Sequence, residues 1–366
     1  MPTWMKDYFS WHREQRKLIR ADNWDKFKYI VMVCSSQSEK CGGIVDRLRP
    51  IPFIVRVAAE TKRILLIKWE RPATLESFLM PPHGGVYWQT PKWMVPHIES
   101  TNVGTAKSVK KLVEIAAGKE KIVKSQVQAH DYGSKYYNNQ ALEYGDEVPD
   151  AFRRDYRDCW YSMFTPVPEI ARKVEGELER LKLVPGGFSF AHVRASYGIE
   201  GQARDPALVK NWTQNSLNCA SNLQPGGPYF FASDSMYSKQ VAIEYGQEKN
   251  VPVVTRLDDK DALYLDLDGE IRDRSEYFPI VVDLYLMSMA KCYTYNMGGY
   301  AEFANLISGS DFTCNVRHWT AGVDPNSANK NGCQWMQPTK SKQSSTSASA
   351  AKLTYPLFLA PTTTVT

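Results

Sequence analysis

The chain has 366 residues, of which 43% are hydrophobic and 12% aromatic, which is long enough for two ordinary domains and too apolar for a disordered protein. Its net charge of +5 is too small for a nucleic-acid binder with clustered Lys and Arg, and it favours a small anionic ligand such as a nucleotide. The sequence has no run of about 18 apolar residues and no apolar core of a signal peptide, which predicts a soluble chain with no membrane segment, or one without its targeting segment.

The seven cysteines form no Cys-x-x-Cys pair and show no zinc-ligand spacing, so we predict no bound metal. Their odd number also leaves a full disulfide framework incomplete. One triplet, Asn211-Trp212-Thr213, matches the acceptor pattern for N-glycosylation, which is informative only in a secreted chain.

Apolar runs and their spacing predict the elements of the first half of the chain. In order, these are a polar helical lead over 1–27, a strand over 28–34 (KYIVMVC), a turn (SSQSEKCGG), a helix over 44–62 and a strand over 64–69 (ILLIKW). Pro50 and Pro52 are expected to break or delay the first turns of that helix. The segment 72–103 has no period, and a weaker helix (AKSVKKLVEIAAG) follows it.

The second half has a more regular pattern. After an amphipathic helix predicted over 169–183, four short apolar runs alternate with helical segments, namely FSFAHVR, PYFFASD, VPVVTR and CYTYN. This alternation predicts an α/β domain with a doubly wound parallel sheet and helices on both faces. The predicted organisation is the lead, an N-terminal domain over 28–164, a C-terminal domain over 165–320 and a low-complexity tail over 321–366.

Polar side chains stand at the carboxyl ends of the predicted strands: His192, Arg194, Asp234 and Asn296. Ligands of parallel sheets bind beyond these ends, so the placement predicts an anion site. The guanidinium of Arg194 can hold two phosphate oxygens, and Gly298 and Gly299 precede a helix whose N-terminus favours an anion.

Three acidic features leave alternatives open. Asp234 is either a ligand contact or the N-cap of the helix that starts at Ser235. Asp283 lies inside the apolar run PIVVDLYLMSMA, where only a ligand or a buried hydrogen bond makes a carboxylate tolerable. The triplet 266–268 has the Asp-x-Asp pattern of metal-dependent sugar-nucleotide enzymes, but its acidic surroundings are typical of a solvated turn.

Four motifs support a family resemblance through their order and spacing. They are KCGG (40–43) followed by Ala58-x-x-Thr61-x-Arg63-x-Leu65, then HVRASY (192–197), FFASDS (230–235) and VVDLYLMSMAKCYTYNMGGYAEFANLIS (281–308). Together they resemble the motifs of the fucosyltransferase superfamily, which includes core α-1,6-fucosyltransferases, nodulation fucosyltransferases and protein O-fucosyltransferases. The similarity runs from about residue 28 to 310, with a diverged middle.

The resemblance implies a GT-B-like fold, in which two Rossmann-like domains face a cleft, and a metal-independent inverting glycosyltransferase. It implies no cofactor, with GDP-fucose as the donor substrate and a glycan or protein hydroxyl as the acceptor. The residues it assigns to the donor are Arg194 on the β-phosphate, His192 beside it, Asp234 and Asp283 on the guanosine, and Gly298, Gly299 and Tyr300 in a phosphate-facing loop. Gly42 and Gly43 correspond to the N-terminal glycine loop.

A base must deprotonate the acceptor hydroxyl, and the candidates are Asp46, just after the glycine loop, and Glu39, just before it. The resemblance also implies the lumen of the Golgi or the endoplasmic reticulum if an N-terminal anchor is missing, and otherwise the cytoplasm.

Ala195 and Tyr197 depart from the family pattern, because they stand where the family has a second Arg and an Asp. Gly298-Gly299-Tyr300 likewise lacks the polar side chains of the family's Ser-Ser-Gln. Two alternatives follow, namely a glycosyltransferase with another nucleotide sugar, and an inactive relative that binds a sugar nucleotide or a glycan.

Overall fold

A computed structural model of the chain describes residues 1–35, 41–100, 105–127, 150–195, 205–257, 273–296, 299–308 and 314–317. These residues divide into two compact units, one within Met1–Val167 and Tyr264–Phe278, the other within Pro168–Leu263 and Pro279–Thr366. The predicted tail over 321–366 lies outside the described residues.

The first unit is built around a four-stranded parallel sheet with the strand order β2-β1-β5-β4, and β3 pairs with β6 antiparallel. Its helices and strands are α1 (Thr3–Leu18), β1 (Tyr29–Cys34), α2 (Ile44–Leu48), α3 (Ile51–Glu60), β2 (Ile64–Trp69), β3 (Leu79–Met80), α4 (Val95–Ser100), β4 (Thr105–Ala106), α5 (Val109–Ala116), β5 (Ile122–Ser125), α6 (Asp150–Met163) and β6 (Thr165–Pro166). The two strands predicted from KYIVMVC and ILLIKW are confirmed. Pro50 forms the N-cap of α3, so the prolines divide the predicted helix over 44–62 into α2 and α3.

The second unit contains a five-stranded parallel sheet with the strand order β11-β10-β7-β8-β9. Its helices and strands are α7 (Pro168–Arg180), β7 (Ser189–Val193), α8 (Pro206–Leu223), β8 (Tyr229–Ser233), α9 (Met236–Lys249), β9 (Val253–Thr255), α10 (Phe278–Ser288), β10 (Cys292–Tyr295), α11 (Gly299–Ser308) and β11 (Asn315–Arg317). All four predicted strands are present and parallel. The prediction of a parallel α/β sheet is therefore confirmed.

Both sheets have a topological switch point. In the second unit the chain runs from β7 outward to β8 and β9, and then returns to place β10 on the other side of β7. The connections that follow β7 and β10 therefore diverge, which leaves a crevice at the carboxyl ends of these strands. In the first unit β2 and β5 likewise flank β1, although there the chain forms the outer strand β4 before β5.

The outer edge of β2 is covered by side chains of α1, one helical turn apart. The amide of Leu65 donates to the Tyr8 hydroxyl at 3.2 Å, and Nε2 of His12 donates to the Leu65 carbonyl at 2.9 Å. Both helical side chains are buried. The backbone amide and carbonyl of Leu65 at this sheet edge are thus satisfied within the chain rather than offered to another strand.

Disulfide bonds hold both units. Cys34 pairs with Cys41 across the end of β1, and Cys292 in β10 pairs with Cys314 just before β11. Cys219 on α8 is also disulfide-bonded, while the buried Cys159 is a free thiol. Sequence reasoning recognised the odd count of cysteines but none of these pairs, because pairing depends on which Cα atoms the fold brings together.

His12 makes the stability of the first unit dependent on pH. Its Nδ1 is buried and has no hydrogen-bond partner in the part of the chain that the structure describes. Burial, reinforced by Arg16 and Arg13, lowers the pKa of His12 from 6.5 to about 4. The unfolded chain therefore binds a proton that the folded chain excludes, so this contribution to stability is complete above pH 6.5 and is lost between pH 6.5 and about 4.

We expect a loss of about 3 kcal/mol from this residue over that range, measured as the free energy of unfolding at several pH values. The variant His12→Gln keeps a donor for the Leu65 carbonyl but does not titrate, so its pH dependence should be flatter. Equal slopes for wild type and His12→Gln would contradict this assignment.

Candidate functional site

Arg194 lies directly after β7 at the switch point of the second sheet, and its backbone is held by Asn296, which directly follows β10. Oδ1 of Asn296 accepts a hydrogen bond from the Arg194 amide at 2.8 Å, and Nδ2 donates to the Arg194 carbonyl at 3.4 Å. The backbone N–H of Asn296 also donates to the His192 carbonyl at 3.3 Å. Asn296 is fully buried, so its side chain fixes the path by which the chain leaves β7.

Asp234 holds the same segment from the other side. It follows β8, and its Oδ1 accepts a hydrogen bond from the Ala195 amide at 2.7 Å. The N-cap of α9 is Ser235, whose hydroxyl accepts from the Ser238 amide, so the alternative that made Asp234 the N-cap is wrong. Side chains from both neighbouring strands thus fix the backbone at Arg194 and Ala195.

His192 in β7 and Tyr300 in α11 lie next to each other. His192 is buried in β7, and its ring centroid is 5.9 Å from that of Tyr300 and 6.0 Å from that of Phe190. Tyr300 belongs to the first turn of α11, and its hydroxyl donates to the carbonyl of Ile280. Burial raises the pKa of Tyr300 well above its usual value. Tyr300 therefore lies in a helix rather than in the predicted loop, with its hydroxyl engaged by α10, while its predicted place at the phosphate stays a prediction.

Helix α11 starts close in sequence to Asn296, the residue that holds the Arg194 backbone. Helix α11 begins at Gly299, three residues after Asn296, while Gly298 lies outside the described residues. The unpaired amides of a first helical turn and the helix dipole favour an anion. Arg194 and the start of α11 therefore place positive charge and amide donors at one end of two adjacent strands.

Asp283 on α10 has a partner within the second unit. Its Oδ1 accepts from Nη1 of Arg256 at 2.8 Å, and both side chains are largely buried. Nη1 of Arg256 also donates to the Pro279 carbonyl at 3.1 Å, and Glu177 on α7 lies 3.9 Å from its Nε. The sequence left open a ligand contact or a buried hydrogen bond for Asp283, and the structure supplies a buried ion pair.

Sequence reasoning did not single out Arg256 or Glu177. The available indication was the position of Arg256 directly after the run VPVVT, at a strand end where a charge needs a partner or solvent.

The glycine loop of the first unit precedes α2. Asp46 accepts a hydrogen bond from the Gly43 amide at 2.9 Å and thereby caps α2. Gly42 has a φ of +74°, and a Cβ at this position would lie 2.7 Å from Cβ of Asp46, so only glycine fits. Glu39, the other candidate base, lies outside the described residues.

A small cavity of about 40 Å³ lies at the carboxyl ends of β1, β2 and β5, the switch point of the first sheet. Its lining includes the Cys34–Cys41 disulfide, Trp69 and Arg47. The Arg47 guanidinium lies 4.5 Å from the Trp69 ring centroid, and its Nε donates to the Gly42 carbonyl at 2.8 Å. The cavity is thus mostly apolar, with one cation fixed at its wall.

Among the described residues, no group of three or more His, Cys, Asp and Glu side chains is arranged to hold a metal ion. Asp266 and Asp268 lie outside this part of the chain. None of the described helices is long and apolar enough to cross a membrane.

Comparison with known proteins identifies the fold. No protein-family model and no curated protein matches the chain. Among solved structures, Arabidopsis thaliana FUT1, as a point variant in complex with GDP, is similar with a TM-score of 0.59 at 10% identity, over 91% of this chain and 82% of that one. The chain therefore shares the fold of this fucosyltransferase, and the GT-B-like α/β architecture implied by the sequence motifs is confirmed.

Two further structures have lower similarity. The fucosyltransferase NodZ from Bradyrhizobium has a TM-score of 0.46 at 13% identity, over 76% of this chain and 93% of that one. POFUT1 in complex with GDP has a TM-score of 0.43 at 10% identity, over 80% of this chain and 98% of that one.

Proposed function

We propose that the protein is an inverting glycosyltransferase that transfers fucose from GDP-fucose to a hydroxyl of a glycan or protein. The observation that carries the proposal is the fixed backbone after β7, where Asn296 holds Arg194 and Asp234 holds Ala195. The fold is that of FUT1, whose structure contains GDP. The motif resemblance points to GDP-fucose as the donor. The acceptor is proposed to bind to the first unit.

Charge development defines the proposed mechanism. As the bond between the sugar and the diphosphate loosens, the anomeric carbon becomes oxocarbenium-like and negative charge accumulates on the departing β-phosphate. Arg194 and the first amides of α11 stabilise that charge without a metal, because the backbone that carries them is fixed before the reaction. His192 contributes by packing its ring against Tyr300 in the first turn of α11, which joins β7 to that helix.

The base that deprotonates the acceptor stays a prediction from the sequence. Asp46 is engaged in the cap of α2, so its use as a base would require it to give up the Gly43 amide. The guanosine contact of Asp283 is likewise a prediction from the resemblance, since Arg256 already occupies one of its oxygens.

The disulfides support a location in the oxidising lumen of the secretory pathway, which agrees with the Golgi or endoplasmic reticulum implied by the resemblance. Disulfides persist in such compartments and are rare in the cytosol. Cys34–Cys41 and Cys292–Cys314 lie in different units, so both parts of the chain carry this indication.

An inactive sugar-nucleotide-binding relative is the second candidate, and Ala195 favours it. Its side chain is buried where the family motif has a second Arg, so this position supplies no cation to a phosphate. Binding would persist in such a protein, while the transition state would lose part of its stabilisation.

Thermal-shift measurements with GDP, UDP and CDP sugars, followed by turnover with the donor that binds, test these proposals. We expect stabilisation by GDP and GDP-fucose, and fucose transfer or donor hydrolysis that persists in excess EDTA. A preference for UDP sugars would show that the donor is a UDP sugar and not GDP-fucose. Binding without turnover would support the inactive relative. Inhibition by EDTA with rescue by Mn²⁺ or Mg²⁺ would contradict metal independence and direct attention to Asp266 and Asp268.

Asp234→Ala tests whether the hydrogen bond from the Ala195 backbone N–H to Asp234 positions Arg194. Loss of this charge-assisted hydrogen bond should weaken GDP binding by about tenfold, because the segment after β7 is no longer fixed. Asp234→Asn keeps an oxygen acceptor for the amide and should bind GDP nearly as wild type, measured by calorimetry. If Asp234→Asn is as weak as Asp234→Ala, the carboxylate contacts the guanosine directly and the positioning role is wrong.

A further inference from the structure

The triplet Asn211-Trp212-Thr213 is the one Asn-x-Ser/Thr sequence among the 366 residues. It lies in the second turn of α8, where the Asn211 side chain is exposed while Trp212 and Thr213 are buried. Leu208 and Asn215, on the same face of the helix, are also exposed. A bulky group on Asn211 would therefore project into solvent without displacing the core.

The disulfides supply the context that the triplet alone lacks. The acceptor pattern has meaning only in a chain that enters the secretory pathway. Stable disulfides mark that route, and Cys219, on the same helix as Asn211, is one of the bonded cysteines. This argument depends on the cysteines and on the exposure of Asn211, and it is independent of the proposed transferase activity.

We propose that Asn211 carries an N-linked glycan. The donor is an oligosaccharide attached to a lipid diphosphate. Nδ2 of Asn211 forms a bond to the anomeric carbon of the first sugar, the bond from that carbon to the diphosphate oxygen breaks, and the lipid diphosphate leaves with the electron pair. One amide proton is released to a base of the transferring enzyme.

The fold also determines when this modification occurs. In the folded chain the Thr213 hydroxyl donates to the Val209 carbonyl at 2.9 Å and lies 2.7 Å from the Ser238 hydroxyl. Thr213 is completely buried, so a transferring enzyme cannot reach the hydroxyl that defines the acceptor triplet. Modification must precede the packing of α8 against α9.

The test uses the full chain expressed behind a secretion signal in eukaryotic cells, with treatment by peptide N-glycosidase and mass mapping of the peptide that contains Asn211. We expect a glycosidase-sensitive decrease in mass for wild type, for Thr213→Ser and for Asn215→Gln, and none for Asn211→Gln. Asn211→Gln replaces one exposed amide side chain by another, so its melting temperature should equal that of the unglycosylated wild type. The chain is assayed in cell lysate and in medium, so retention in the cell does not prevent a result.

A wild-type chain that has formed its disulfides and carries no glycan on Asn211 would overturn the proposal. Timing is tested by translation with microsomal membranes, added either during synthesis or after folding. Modification only during synthesis is expected. Equal modification of the folded chain would contradict the argument from the burial of Thr213.

Discussion

Arg194→Ala is expected to lower fucose transfer by about a hundredfold, equivalent to about 3 kcal/mol of transition-state stabilisation. The physical reason is that the leaving diphosphate gains charge in the transition state, and the Arg194 guanidinium is the cation that the proposed site supplies to it. The backbone at Arg194 is held by the side chain of Asn296, so removal of the Arg194 side chain leaves the path of the chain intact. Turnover and the melting temperature are measured on the same preparation.

Two further variants make the Arg194 test specific. Arg194→Lys keeps the charge but loses the planar pair of donors, so its activity should lie between those of wild type and Arg194→Ala. Arg172→Ala removes an exposed arginine from α7 and should leave activity unchanged. Near-normal turnover of Arg194→Ala would show that Arg194 does not bind the diphosphate.

Arg63→Met should cause the largest loss of stability in the first unit. Arg63 is completely buried in the turn before β2. Its Nε donates to the Ala116 carbonyl at 2.8 Å and its Nη1 to the Glu120 carbonyl at 2.7 Å. It also donates to the carbonyls of Tyr29 and Gly118, so one side chain joins the start of β1, the end of α5 and the turn into β5.

Methionine retains most of the side-chain volume but removes the donors to the Ala116 and Glu120 carbonyls, whereas the Gly118 carbonyl keeps its hydrogen bond from Nζ of Lys28 at 3.1 Å. At about 1.5 kcal/mol for each of the two short hydrogen bonds from a charged donor that are lost, we expect a loss of about 3 kcal/mol. For a unit of this size the melting temperature should fall by on the order of 10 °C, measured by calorimetry.

Controls separate the lost hydrogen bonds of Arg63 from a general effect of substitution. Arg63→Lys keeps the charge and part of the bonding, so it should have intermediate stability and remain measurable if Arg63→Met does not fold. Lys110→Met on the exposed face of α5 should have the melting temperature of wild type. If Arg63→Met also melted with wild type, the buried hydrogen bonds of Arg63 would contribute nothing measurable.

The strands of the strongest apolar runs and the placement of Arg194 at a strand end could be predicted because they depend on neighbours in sequence. Short apolar runs bounded by turns specify strands, and the alternation with helices specifies a parallel sheet. Once FSFAHV is a strand of such a sheet, Arg194 must lie at its carboxyl end. The resemblance of the motifs added the donor, which periodicity alone does not specify.

Tertiary structure alone decided which groups meet. Asn296 is 102 residues from Arg194, and Asp234 is 39 residues from Ala195. Arg256 and Asp283 pair across 27 residues, although each follows or interrupts an apolar run without an evident partner. Such contacts arise from strand order and helix packing, which no local pattern encodes.

The sequence by itself thus determined β1, β2, the central strands of the second sheet and the sheet edge where Arg194 stands, because hydrophobic burial acts through the spacing of adjacent residues. It did not predict β3, β4, β5, β6 or β11. Tertiary structure decided the role of each buried polar group, because the free energy of a hydrogen bond or ion pair depends on the partner that folding delivers. Asp234 shows the difference. Its position at a strand end was predicted from the sequence, but its function as an acceptor for the Ala195 amide exists only after β7 and β8 are paired.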